Sequence, residues 1–449
     1  MSFDNPLFLL LLIAGMAVVR LPSPASGWGL LALCVVFYSF AGVFDFAIFA
    51  CLIVVNWLAG QYVARSKLAF ALAVIGNVAI LGFFKYREML LPDALTSSYA
   101  RIAIPLGISF YLFHVLAYLA DVRMQRVQPV SLHRFVLFVG FFPHLIAGPI
   151  VRAKQLMPQL DPLWAGGLPR RKLAIFGLAL CLLGLVKKIV FSNSLAPVVD
   201  DIFRTVPADS LTAWGGAWLF AFQIYFDFSG YTDIALGTAM LLGLRLPTNF
   251  LTPYMAADPR AFWHRWHITL SQWIRDYLYV PLGGSRDGGH LWQAFVLVGV
   301  MALAGLWHGA NWTFLAWGTF WGVYLLVWRW AAGAFSYLPI AAQWALHMAI
   351  VMILWVFFRA PDIGFAFRYI GRMFSFDAPV WSIATVSAVV GCVGLMLLHW
   401  LESHLQNRRA LLWARRLSKP VAVGAMIGLC LLLIFFPSYD INPFIYFRF

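Results

Sequence analysis

Long apolar runs recur along the whole chain, separated by short polar turns. They lie near residues 7–20, 27–43, 45–64, 67–85, 173–197, 292–308, 311–332, 339–358, 381–401 and 420–437. A helix needs roughly 20 mostly apolar residues to cross the hydrocarbon of a bilayer. The pattern therefore predicts an all-α, polytopic membrane protein. Two stretches depart from it. Residues 101–154 and 222–290 carry Pro, Gly, His, Asp and Arg among apolar neighbours. Irregular backbone survives at membrane depth only where protein or a water-filled cavity surrounds it. These stretches are expected to be re-entrant or interior segments lining a functional cavity. No short repeat and no soluble domain stands out, so one membrane domain is expected over residues 1–449, with 437–449 as its tail.

Composition sharpens this reading. Of 449 residues, 62% are hydrophobic and 11% are charged, against about 25% charged in soluble proteins. The formal net charge is +14. The basic residues sit in short loops between apolar runs, as the positive-inside rule expects. Membrane lipids, not nucleic acid, are the expected partner of that charge. The densest cluster, Arg408, Arg409, Arg415, Arg416 and Lys419, predicts a cytoplasmic loop, with the tail emerging on the far side of one more helix. Arg20, Arg65 and Lys67 place the N-terminus on that same outer face, although Lys85 and Arg87 fit less well. The first residues lack a basic n-region, so the first run reads as a membrane helix and not a signal peptide. Cys34, Cys51, Cys181, Cys392 and Cys430 fall within apolar runs and read as packed thiols.

Polar groups inside a membrane domain are costly, so each is a site candidate. His308, preceded by Trp307 and followed by Asn311, stands at the junction of two apolar runs. A hydrogen-bonded core histidine is the competing reading. In Phe262–Ser285, one continuous helix would put His264, His267 and Ser271 on a single face. Trp263, Trp266 and Trp273 also suit an interfacial anchor helix. Against the anchor, the imidazoles together with Arg265, Arg275 and Asp276 are many titratable groups for that task. A metal held by His264, His267 and His308 lacks a cysteine or paired carboxylate to complete the set. Asp227 and Asp233 suit a proton relay or a structural ion pair, and Gly230 between them offers a place for a helix to break. In the tail, Tyr446 lies between Ile445 and Phe447. Such a tail packs into a groove, meets a partner, or joins an interfacial aromatic belt.

At these residues the chain resembles the membrane-bound O-acyltransferase (MBOAT) family. The resemblance is strongest to the bacterial branch that O-acetylates alginate, peptidoglycan and cellulose. It rests on Pro105–Tyr111, Phe142–Ile150, Asp227–Tyr231, Trp266–Ser271, Arg275–Gly284 and Leu306–Trp312 together. It implies a ring of about 10–12 transmembrane helices, with re-entrant and interfacial helices, around a central tunnel. It implies His308 as the catalytic histidine, His267 as a second one, and Tyr446 as an acyl-carrying tyrosine. Asn311, Trp307, Asp227, Trp266, Ser271 and Arg275 become substrate- or tunnel-lining candidates. The branch often has Gln where this chain has His114 and His144. The implied activity passes acetyl groups from a cytoplasmic donor, acetyl-CoA, across the bacterial inner membrane to an exported polysaccharide, with an alginate-like polymer favoured. No resident cofactor or metal is implied. The implied partner is a periplasmic SGNH-type or similar O-acetyltransferase. A neutral imidazole suits general-base work near neutral pH, with His267 or Asn311 as candidate donors to the oxyanion. A transporter or flippase, or a non-catalytic scaffold of an export complex, is the competing class.

Overall fold

The computed structural model describes residues 6–90, 103–146, 148–165, 173–284, 289–375, 383–406, 419–436 and 444. Every regular element among them is helical. All ten apolar runs fall on helices: Pro6–Val18, Ala25–Ser39, Val43–Tyr62, Lys67–Leu90, Ala174–Leu185, His290–His308, Trp312–Phe335, Ile340–Arg359, Ile383–Gln406 and Lys419–Phe435. Among the described residues, six helices are long and apolar enough to cross a membrane. The shorter apolar helices Leu7–Val18, Ala25–Ser39 and Gly424–Phe435 add to these. Ala174–Leu185 runs on through a π-helical turn, Val186–Ser192, into Asn193–Ile202.

The chain divides into two compact units, Met1–Gly184 with Tyr231–Thr248, and Leu185–Gly230 with Asn249–Phe449. In the first, Asn56 and Asn77 exchange side-chain amide hydrogen bonds of 3.0 and 2.6 Å. That reciprocal pair satisfies two polar groups inside an apolar interface. Gly177 and Gly237 meet so closely that a Cβ on Gly237 would lie 2.5 Å from the Gly177 carbonyl oxygen. The imidazoles of His114 and His144 stack at 4.3 Å, and His144 Nε2 bonds the Phe138 carbonyl at 3.0 Å.

The second unit is organised by the pair His290–His308 and Trp312–Phe335. Small residues let the two helices touch along their backbones, as membrane helix pairs do. A Cβ on Gly305 would stand 2.1 Å from the Phe314 carbonyl oxygen, and one on Gly318 would stand 2.2 Å from that of Met301. Gly322, one turn beyond Gly318, faces Val298 in the same way.

The interior expectation for residues 222–290 needs one correction. Its first part belongs to a continuous helix, Ser210–Leu241, and Gly230 does not break it. Residues 213–239 of that helix are almost all buried. Protein, not lipid, surrounds its Gln223, Asp227, Ser229 and Thr232, and an uninterrupted helix satisfies its own backbone. The irregular backbone starts only at residue 242 and runs to the short turn Pro253–Met255 and the helix Pro259–Trp263.

Gly305→Ala should destabilise the protein by roughly 1–3 kcal/mol through overpacking. Gly299→Ala in the same helix, where a Cβ meets nothing within 4 Å, should be neutral or stabilising. Thermal unfolding of the two variants in detergent checks this, and equal melting temperatures would refute the close-packed seam.

Candidate active site around His308 and His267

His308 is the last residue of its helix, and the chain turns away through extended Gly309. The side chain is 3% exposed. Its ring packs against Trp307 at 4.8 Å, Trp317 at 5.1 Å and Phe358 at 5.2 Å. One direction stays open. A cavity of about 220 Å³ reaches the imidazole, walled by Ser271, Arg275, Met301 and Ala304 among others. Met301, Ala304 and His308 share a face because positions i, i+3 and i+7 align on a helix. His308 is therefore a packed aromatic-cage residue with one accessible side.

The second histidine motif is not a single helix. Pro259–Trp263 and Ile268–Ile274 are separate short helices, and His267 sits between them with φ 41° and ψ 53°. A left-handed backbone costs a non-glycine residue about 1–2 kcal/mol, and such positions cluster where a chain places a functional group. The break separates the three residues expected on one face. His264 and Ser271 wall the cavity beside His308. His267 turns inward, 0% exposed, with its ring 4.7 Å from Phe228 and 6.0 Å from Trp307. Its Nδ1 lies 3.2 Å from Asn249 Oδ1. Full burial favours the uncharged ring. The Ser271 hydroxyl donates to the His267 carbonyl at 3.2 Å.

The remaining candidates take distinct places. Trp266 forms a wall, its ring 5.0 Å from Trp355 and 5.1 Å from Phe250. Arg275 Nε donates to Asp276 at 2.7 Å, leaving its exposed guanidinium at the cavity edge. Asn311 caps the next helix, accepting from Thr313 N at 3.0 Å and donating to Pro361 O at 3.0 Å. Its amide is thus engaged in shaping the turn after His308. Asp227 forms a buried ion pair with Lys188, and Ser192 Oγ donates to the same carboxylate oxygen at 3.3 Å. Tyr446 lies outside the described residues. No cluster of three or more His, Cys, Asp or Glu converges among the described residues.

Sequence reading passed over two groups. Lys187 and Lys188 stand in the middle of an apolar run, a signal that intramembrane cations have acidic partners. The π-helical turn carries both, and Lys187 Nζ donates to Glu402 at 2.6 Å while the Tyr225 hydroxyl donates to that carboxylate at 2.7 Å. Asn249, a lone amide before an aromatic, carried no readable signal. Its role exists only in three dimensions.

The helices define a polytopic membrane protein, with a cavity beside His308 and buried ion pairs in its second unit. The chain matches the membrane-bound O-acyltransferase family over residues 38–376, and it belongs to that family. It is an integral membrane O-acyltransferase. It is 36% identical to the probable alginate O-acetylase of Azotobacter vinelandii, over 86% of this chain and 80% of that protein. It is 35% identical to the peptidoglycan O-acetyltransferase of Helicobacter pylori, over 69% and 65% of the two chains. A teichoic acid D-alanyltransferase of Bacillus subtilis is 25% identical over 72% and 82%.

Asp227→Ala should strand the buried Lys188 ammonium at a cost of about 3–5 kcal/mol. A lower melting temperature and less folded protein are expected, with partial recovery in the double variant Asp227→Ala, Lys188→Ala. Fluorescence-detected size exclusion reads both.

Proposed function

We propose that this protein takes an acetyl group from cytoplasmic acetyl-CoA and passes it across the bacterial inner membrane for O-acetylation of an exported polysaccharide, an alginate-like polymer by preference. The observation that carries the reading is the cavity that reaches His308. At about 220 Å³ it is smaller than the roughly 300–1,000 Å³ that encloses a drug-sized ligand. A slender thioester arm fits, and the nucleotide end of the donor stays outside. His308 takes the proton of the acceptor hydroxyl as the oxygen attacks the thioester carbonyl. The C–S bond breaks, the proton passes to the departing thiolate, and an ester and a free thiol result. The relatives named for alginate and peptidoglycan O-acetylation support acetyl as the group and a glycan as its destination.

In this reading Tyr446 is the first acceptor. A phenol has a pKa near 10, so its ester is more activated than a sugar ester, and thioester to tyrosyl ester to sugar ester runs downhill. Phe444, two residues earlier, supports a tail that belongs to the site. It is 3% exposed and packs 5.4 Å from Phe228, the ring that stands against His267. Both chain ends face the periplasm, where a separate SGNH-type transferase collects the acetyl group.

In membranes supplied with labelled acetyl-CoA, His308→Ala should lower acetyl transfer by about 100-fold or more at unchanged protein level. Full transfer would remove His308 from the chemistry and reopen the transporter and scaffold readings. Tyr446→Phe should abolish polymer acetylation in cells. If acetylation persists at the normal level, this protein hands the group directly to the polymer.

A further inference from the structure

In the irregular segment after Leu241, Phe250 stacks on the second histidine at 6.3 Å and Asn249 hydrogen-bonds around it. Asn249 makes four hydrogen bonds to three consecutive residues. Its backbone oxygen accepts from Ile268 N at 3.0 Å. Its side-chain Oδ1 accepts from Thr269 N at 3.1 Å and Thr269 Oγ1 at 2.8 Å, and lies 3.2 Å from His267 Nδ1. The atom's identity follows from chemistry. A backbone N–H can only donate, so the amide atom facing Thr269 N is the oxygen and not the nitrogen. That oxygen has only lone pairs to offer, so the His267 nitrogen facing it must carry the hydrogen. The neutral ring has one hydrogen to place, and the bond at one nitrogen decides the state of the other. His267 Nε2 is therefore the lone-pair atom. Among the described residues it is buried with no hydrogen-bond partner, and the ring as a whole lies 6.0 Å from Trp307, which packs on His308.

We propose that Asn249 is a positioning residue for acyl transfer: it fixes His267 in the Nδ1–H tautomer and so presents Nε2 as a hydrogen-bond acceptor beside the His308 cage. An unpartnered buried acceptor is costly, by about 1–3 kcal/mol, and it is retained where a reacting hydroxyl supplies the missing donor. This inference rests on the acyl-transfer reading of the site above.

The test is a double-mutant cycle in purified protein, with labelled acetyl-CoA as donor and folding verified by melting temperature and gel-filtration profile. Asn249→Leu should lower kcat by roughly 10- to 100-fold, the loss typical when the partner orienting a functional histidine is removed, with KM for the donor unchanged. Asn249→Asp, which keeps an acceptor oxygen, should retain most of the rate. In a His267→Ala background, Asn249→Leu should cause no further loss, because its effect runs through that imidazole. Thr269→Val, which removes another donor from the same oxygen, should leave kcat near the wild-type value. The inference is overturned if Asn249→Leu lowers the rate equally with and without His267, if Thr269→Val reproduces its defect, or if His267→Ala is fully active. Should Asn249→Leu fail to fold, a folded but inactive Asn249→Asp overturns it equally. Failure of the acyl-transfer reading would show separately, as full activity of His308→Ala.

Discussion

A backbone amide without a partner is not tolerated in hydrocarbon, where water cannot take its place. Helices meet this constraint by themselves. The segment from Asn249 to His267 does not, and other groups of the second unit supply some of its partners. Tyr254 N donates to His399 Nε2 at 3.3 Å, and Trp344 Nε1 donates to the Tyr254 carbonyl at 2.9 Å. Leu251 N donates to Arg265 O at 2.9 Å. Asn249 closes the other end of the loop. His399 in turn lies 3.3 Å from Glu402, the carboxylate that receives Lys187 and Tyr225. His399 thus links the irregular loop to the Glu402 ion pair, while Asn249 bonds the stretch from His267 to Thr269 separately.

His308 is positioned by a different means. Its helix is pinned by backbone contact at Gly305 and Gly318, so the last turn has little freedom to shift. Asn311 then starts the following helix and ties the turn to Pro361. Packing sets the position of His308, while hydrogen bonding sets that of His267. Both arrangements hold an imidazole in a fixed orientation.

Much of the fold was legible in the sequence because hydropathy is a local property. Each apolar run became a helix, and the glycine-flanked His308 fell at a helix end as the junction of two runs predicts. The helix Ser210–Leu241 was harder to read. Burial in protein lets a helix carry Asp, Gln, Ser and Thr that a lipid-facing helix would exclude, so its composition pointed to an interior segment without showing that it was one continuous helix. The face expected to unite His264, His267 and Ser271 failed for a related reason. Helical periodicity presumes ordinary backbone angles, and nothing in the local residues announces the positive φ at His267.

By itself, then, the sequence determined the membrane class, the place of ten apolar helices, and a set of candidate side chains for chemistry. These follow from transfer free energies that each segment carries alone. The tertiary structure alone decided that His308 meets a cavity while His267 is sealed, which acid neutralises Lys188, and that Asn249 contacts His267. Each of those depends on atoms brought together from distant parts of the chain, where distance and direction determine the interaction and composition does not.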